Sequence, residues 1–220
     1  MKVLVIAPHA DDEVFGMGAT IAKLRSQGHE VLSVVVCCGD SFGFHHLGGK
    51  SVSREERYQE MLAVASALDT GSMMLRFTQD SFMDTVPIRE VIGELERVQR
   101  EFAADRWYVA GPSFHQDHRV VFEAAMAAGR ISWTNSPKEI YLYELPMYSM
   151  NHAPWTFEPH VWEEVTEFID TKISATYLYA SQVRAGGPLS PESLRNWALT
   201  CGSECGVAAA ERFQVIRAIR

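Results

Sequence analysis

Five short, strongly apolar runs punctuate the chain: Val3–Ala7, Val31–Cys37, Met73–Phe77, Trp107–Gly111 and Ile140–Tyr143. They lack the period-two alternation of a half-exposed sheet, so they predict strands buried on both faces. Segments of helical spacing separate them. Tyr58, Met61, Leu62, Ala65 and Leu68 form one apolar stripe. Ile88, Val91, Ile92, Leu95, Val98 and Phe102 form another, with Pro87 suited to a first turn. Val14–Gln27 and Arg119–Ala128 supply two more helices, closed by Gly28 and Gly129. Alternating strand and helix predicts an α/β fold: a Rossmann-like, doubly wound, mostly parallel sheet of order 3-2-1-4-5 with helices on both faces.

The pattern is less regular from about residue 150. It predicts a short strand at Phe168-Ile169, a helix from Asp170 to Val183, a break at Gly186-Gly187-Pro188 and a helix near Trp197. No repeat, low-complexity segment or linker divides the chain, so residues 1–220 read as a single domain. A formal charge of −8 and the lack of a basic tract argue against nucleic acid as a partner. Val3–Ala7 is too short for a secretory signal or a membrane span. Cys37, Cys38, Cys201 and Cys205 lack zinc-finger spacing and read as inert thiols, which points to the cytoplasm. Aromatic residues in the tail would suit a homo-oligomer interface.

The run Pro8-His9-Ala10-Asp11-Asp12-Glu13 follows the first strand directly. Adjacent carboxylates repel where they are partly desolvated, so this corner calls for positive charge, most simply a divalent metal. His115-Gln116-Asp117-His118 follows the fourth strand. In the order 3-2-1-4-5 the crevice beyond the carboxyl ends falls between strands 1 and 4, which brings the two clusters together. Two histidines and a carboxylate suffice for a catalytic zinc with one position left for water. A spare carboxylate could take a proton from that water, and a spare histidine could stabilise an oxyanion or protonate a leaving amine.

Ala7–Glu13 ("APHADDE") together with His115–His118 ("HQDH") resembles the zinc-dependent LmbE/PIG-L family of N-acetyl-sugar deacetylases. Arg57-Tyr58-Gln59-Glu60, Phe77-Thr78-Gln79-Asp80, Lys172-Ile173 through Ser181-Gln182, and Ala210-Glu211-Arg212-Phe213 extend the resemblance. It implies His9, Asp12 and His118 as Zn2+ ligands and Asp11 as general base. It implies His115 at the developing oxyanion or as proton donor, oriented by Asp117, with Arg57 and Asp80 contacting sugar hydroxyls. The implied reaction removes the N-acetyl group from an amino sugar or glycoconjugate, releasing acetate and a free amine. Asp80 lacks the family's flanking Pro and Gly, Ser113 stands where some relatives carry Tyr, and Gln116 and Ala10 replace frequent prolines.

Plainer readings exist for several residues. Glu13 suits a helix first turn. Arg57 and Glu60 could form an i,i+3 ion pair, and Asp80 could start a turn. Gly16-Met17-Gly18 is an incomplete dinucleotide fingerprint better explained by close helix–sheet packing. The Gly39–Ser53 loop, with His45-His46 and Gly43, Gly48 and Gly49, is a solvated loop or a lid. His152, His160, Trp155, Phe157 and Trp162 either line a sugar pocket or pack the tail. The rival functions are a nucleotide-binding module without metal and a noncatalytic protein that binds zinc or sugar.

Overall fold

The computed structural model describes residues 1–41, 51–78, 80–131, 135–146 and 156–219. Strands β1 (Lys2–Ala7), β2 (Glu30–Val35), β3 (Gly71–Met74), β4 (Arg106–Ala110) and β5 (Glu139–Tyr143) fall on the five apolar runs, although β3 starts earlier than expected and takes in only Met73 and Met74 of its run. Helices α1 (Asp12–Ser26), α2 (Arg54–Ala67), α3 (Ile88–Phe102) and α4 (Gln116–Ala128) fill the segments of helical spacing. Toward the C-terminus come β6 (Val161–Glu164), α5 (Ile169–Thr176), α6 (Pro191–Cys205) and β7 (Ala210–Ala218).

One sheet runs through the molecule in the order β3-β2-β1-β4-β5-β7-β6. The first five strands pair in parallel. The five-strand expectation is therefore corrected to a mixed, seven-stranded sheet, because β7 pairs antiparallel with both β5 and β6. The strand expected at Phe168-Ile169 is also displaced: Phe168 is the N-cap of α5, and β6 lies earlier. Charge concealed β7. Its Glu211 and Arg212 look like surface residues, yet Glu211 is buried on Lys172 at 2.6 Å and Arg212 grips Glu144 with two nitrogens at 2.6 and 3.0 Å.

Both faces of the parallel sheet are covered, as uninterrupted apolar strands require. Val3, Val5 and Ala7 join a core with α1, α2, α5 and α6. Leu4 and Ile6, facing the other way, join a core with α3 and α4. All five are fully buried. Gly16 is explained by helix–sheet contact, since a Cβ there would sit 2.3 Å from the Tyr143 ring. Just beyond it α1 kinks at Met17 (φ −144°, ψ 26°), and the Glu211 carboxylate accepts the N–H groups of Ala19 and Thr20 at 3.3 and 2.7 Å. A carboxylate thus replaces the carbonyls that the broken helical ladder cannot offer. Among the described residues no helix is long and apolar enough to cross a membrane.

Candidate metal centre

The β1–α1 and β4–α4 corners lie side by side because β1 and β4 are neighbours in the sheet. His9, two residues beyond β1, has its ring centroid 5.3 Å from that of His118, on the first turn of α4. Asp12, the first residue of α1, lies between them. Its Oδ2 is 3.3 Å from His9 Nδ1 and 3.4 Å from His118 Nε2, and it accepts the His9 backbone N–H at 2.8 Å. One ligand atom from each of the three residues falls within 4.8 Å of the others, and all three side chains are buried. Burial works against charge on Asp12, yet His118 and His9 hold its carboxyl down at about 2. Burial lowers His118 to about 4.

Those donors fit a divalent cation: one carboxylate and two imidazoles, with room for a further ligand on the cavity side. A second group, His9, Asp80, His115 and Asp117, is equally close-set. It shares His9, and the two ring nitrogens divide the groups between them. His9 Nε2 lies 2.9 Å from Asp117 Oδ2 and 3.2 Å from Asp80 Oδ1. Although burial opposes it, these carboxylates and Asp12 raise the His9 pKa well above its ordinary value. Nε2–H bonded to a carboxylate leaves Nδ1 facing Asp12, the arrangement that would orient a ligating histidine. The second group is thus a hydrogen-bonding collar for the first.

Asp117 departs from expectation here. Its carboxylate does not reach His115; Oδ2 takes His9 and the Ser81 N–H (2.7 Å), and Oδ1 takes the Met83 N–H (2.9 Å). The side chain is fully buried and turned inward beneath the Ser81–Met83 backbone. Only the Asp117 backbone N–H meets His115, donating to Nδ1 at 3.2 Å, so His115 is the N-cap of α4. His115 Nε2 stands 3.3 Å from Ser81 Oγ and 3.8 Å from Asp80 Oδ1, and its ring lies 4.7 Å from that of His9. Burial, and then His9, lower its pKa, which favours the neutral ring.

Asp11 opens onto the same cavity from the other corner. Burial, reinforced by Asp12, pushes its carboxyl well above the usual range, while Arg57 opposes the rise. Arg57 is almost wholly buried: Nη1 donates to Asp80 Oδ2 at 2.8 Å and Nη2 to the Ala10 carbonyl at 3.1 Å. The i,i+3 pairing of Arg57 with Glu60 does not form, because Glu60 instead accepts from the Ser181 N–H and Oγ at 2.7 and 2.6 Å. Asp80 is the hub of this side, accepting also from Ser41 Oγ at 2.9 Å. His9 and Arg57 hold its carboxyl far below the ordinary range despite burial.

The cavity measures about 700 Å³. His9, Asp11, Asp12, Asp80 and His115 occupy its floor, and the exposed ring of Phe114 stands at its edge. The opposite wall comes from the segment after α5, including Gln182, Arg184, Pro188 and Leu189. The helix expected from Asp170 to Val183 is corrected here: α5 ends at Thr176, and Gln182 and Arg184 lie in the segment between it and the Gly186-Gly187-Pro188 break. His160 bonds Val215, and Trp162 bonds Glu204, so both stabilise the tail and neither lines the cavity. His45, His46, Gly43, Gly48, Gly49, Gln79, His152 and Trp155 lie outside the described residues.

An α/β sheet with a buried His/Asp/His cluster at its topological switch point, beside a cavity, defines the class: an α/β protein whose ligand site lies beyond the strand ends and whose side chains there could hold a metal ion. The particular family follows. A profile described as "PIG-L: GlcNAc-PI de-N-acetylase" matches residues 4–129, more than half of the sequence, and the chain belongs to that family. It is 26% identical to a diacetylchitobiose deacetylase of Thermococcus kodakarensis, over 99% of this chain and 84% of that one. The structure of an N,N′-diacetylchitobiose deacetylase from Pyrococcus horikoshii superposes with a TM-score of 0.78 at 26% identity, covering 98% of this chain and 83% of that one. A Pseudomonas putida 4-carboxy-2-hydroxymuconate hydratase superposes at 0.75 with 18% identity, covering 100% and 97%, and shares the fold.

Proposed function

We propose that this protein is a single-domain, zinc-dependent hydrolase that removes the N-acetyl group from an N-acetylated amino sugar or glycoconjugate, releasing acetate and a free amine. The observation that carries the reading is the convergence of His9, Asp12 and His118 on one buried point beside Asp11 and His115. In this reading His9, Asp12 and His118 hold the metal, and Asp117 and Asp80 orient His9. When bound, a zinc ion supplies Lewis acidity and lowers the pKa of water towards ~7. Asp11 accepts the proton of the attacking water, a task suited to a carboxylate whose pKa burial has raised. His115, at the far side of the cavity floor, donates its Nε2–H to the developing oxyanion, and Asp11 returns the proton it took from water to the departing amine. Asp80 offers its cavity edge to a sugar hydroxyl, while Arg57 is committed to the corner it supports. Four free cysteines agree with a reducing compartment such as the cytoplasm.

The related hydratase fold shows that architecture alone does not choose the reaction, so the test must read the product. Purified protein, stripped with a chelator and reloaded with zinc, should release acetate and primary amine in equal amounts from N,N′-diacetylchitobiose or another acetylated amino sugar. Zinc binding without acetate release across such a panel would return the noncatalytic reading. The nucleotide-binding alternative loses its glycine fingerprint, because Gly16, Met17 and Gly18 lie inside α1 rather than in a phosphate loop.

A further inference from the structure

Five non-glycine residues of the described chain have positive φ. Four lie between 53° and 71°, an ordinary left-handed turn conformation, whereas Asp11 stands at φ 150°, ψ −32°. Backbone in that region is strained for a residue with a Cβ and persists only where its surroundings impose it. Asp11 is also the N-cap of α1, yet its side chain makes no capping bond. The corner gives up the usual use of an N-cap aspartate, and the carboxylate lines the cavity instead.

Two contacts pin the Ala10–Asp11 peptide, one at its carbonyl and one at its N–H. Arg57 Nη2 donates to the Ala10 carbonyl at 3.1 Å, and the Asp11 N–H donates to Glu13 Oε2 at 3.2 Å. Glu13 Oε1 in turn accepts the hydroxyl of Tyr179, which follows α5 far along the chain. Glu13 is 2% exposed and Tyr179 is fully buried, edge-on to Phe15 with centroids 6.4 Å apart. No ion pair with a cation is present at Glu13 among the described residues. A buried carboxylate in that state is costly, and an apolar residue would pack there more cheaply, so its retention calls for a task. A first-turn acid serving only the helix dipole would have stayed at the surface.

We infer that Tyr179 and Glu13 form a positioning pair that clamps the Asp11 peptide in its strained conformation and so aims the Asp11 carboxylate at the reacting centre. The functional part rests on Asp11 being the general base. Neither residue touches substrate; both act through Asp11.

The test uses the full zinc-loaded chain with N,N′-diacetylchitobiose as probe, reading kcat, KM, bound zinc and Tm. Tyr179→Phe removes one hydroxyl and should lower kcat by about tenfold to a hundredfold, the scale of a small misplacement of a catalytic group, with KM and zinc little changed and Tm lowered only by the loss of one buried hydrogen bond. Glu13→Gln retains an acceptor for the Asp11 N–H and should keep more turnover than Glu13→Ala. It also preserves the test if Glu13→Ala does not fold. Adding Tyr179→Phe to Glu13→Ala should lower kcat no further, since the two act as one unit. Wild-type kcat in Tyr179→Phe overturns the clamp, as does a kcat loss matched by equal loss of zinc. Two further measurements separate the clamp from the general-base reading: the crystal structure of Tyr179→Phe and the activity of Asp11→Asn. If Asp11 φ relaxes in Tyr179→Phe while Asp11→Asn turns over normally, the clamp stands and the general base is wrong. An inactive Asp11→Asn beside an unmoved φ rejects the clamp and leaves the base.

Discussion

The two corners of the candidate metal centre are made in opposite ways. At β4–α4 the chain uses local means: His115 sits at an ordinary N-cap (φ −69°, ψ 123°) and its own ring accepts the Asp117 N–H. At β1–α1 the N-cap is strained, its side chain makes no capping bond, and the supports come from α2 and from beyond α5. The first corner to be made by the chain is thus the one that depends most on the rest of the molecule. A carboxylate aimed into a cavity beside another carboxylate has no local reason to stay there, whereas a histidine cap does. The consequence is that damage should spread differently from the two corners.

Removing a ligand proposed for the metal between the corners should erase the difference, with the largest effect. His118→Ala is expected to lose metal and activity together, measured by elemental analysis and acetate release. Asp11→Asn should instead keep near-normal zinc while turnover falls by on the order of 10²–10⁴-fold; full activity would leave the strained corner without a catalytic purpose. Next comes the asymmetry in stability. Arg57→Ala withdraws the cation from Asp80 and the donor from Ala10, and loss of one partner of a buried pair costs about 3–5 kcal/mol. His115→Ala removes only a cap and should cost about 1 kcal/mol. Thermal unfolding that ranked the two the other way would reverse the argument.

Asp117→Asn sharpens the link between the corners. The substitution weakens the hold on His9 and should reduce zinc affinity by about 10–100-fold, the usual scale for such a supporting carboxylate, as read by competition with a chromophoric chelator. Were the Asp117 carboxylate acting on His115 alone, kcat would fall and zinc affinity would not. The smallest effect serves as a control far from both corners. Cys205 is exposed, while burial pushes Cys201 up to about 12 and Cys38 up to about 11. Burial raises Cys37 as well, so at pH 8 the three buried thiols stay protonated; iodoacetamide should label Cys205 first and leave turnover unchanged, and prompt labelling of Cys201 would mean that α6 opens.

Much of this was legible in the residues themselves. Burial on both faces leaves a direct trace in an apolar run, so β1 to β5 and their order could be read, and the order then brought Pro8–Glu13 to His115–His118. That histidines and carboxylates would meet there was legible too, because crowded carboxylates beside imidazoles are rarely neutral choices; the choice of His9, Asp12 and His118 came from the resemblance to the LmbE/PIG-L family. What could not be read depended on partners distant in the chain. Charge in β7 is a surface signal until Lys172 and Glu144 neutralise it inside the fold. Asp117 lies two residues from His115 in sequence, yet its carboxylate serves His9, because the turn of α4 carries it inward. Arg57 and Glu60 look like mutual partners and instead serve Asp80 and Ser181. Sequence alone determined which chemical groups meet at the switch point, since periodicity records burial and burial sets topology. Tertiary structure alone decided which atom of each group faces which, because ring orientation and a strained peptide are imposed by contacts that no local pattern encodes.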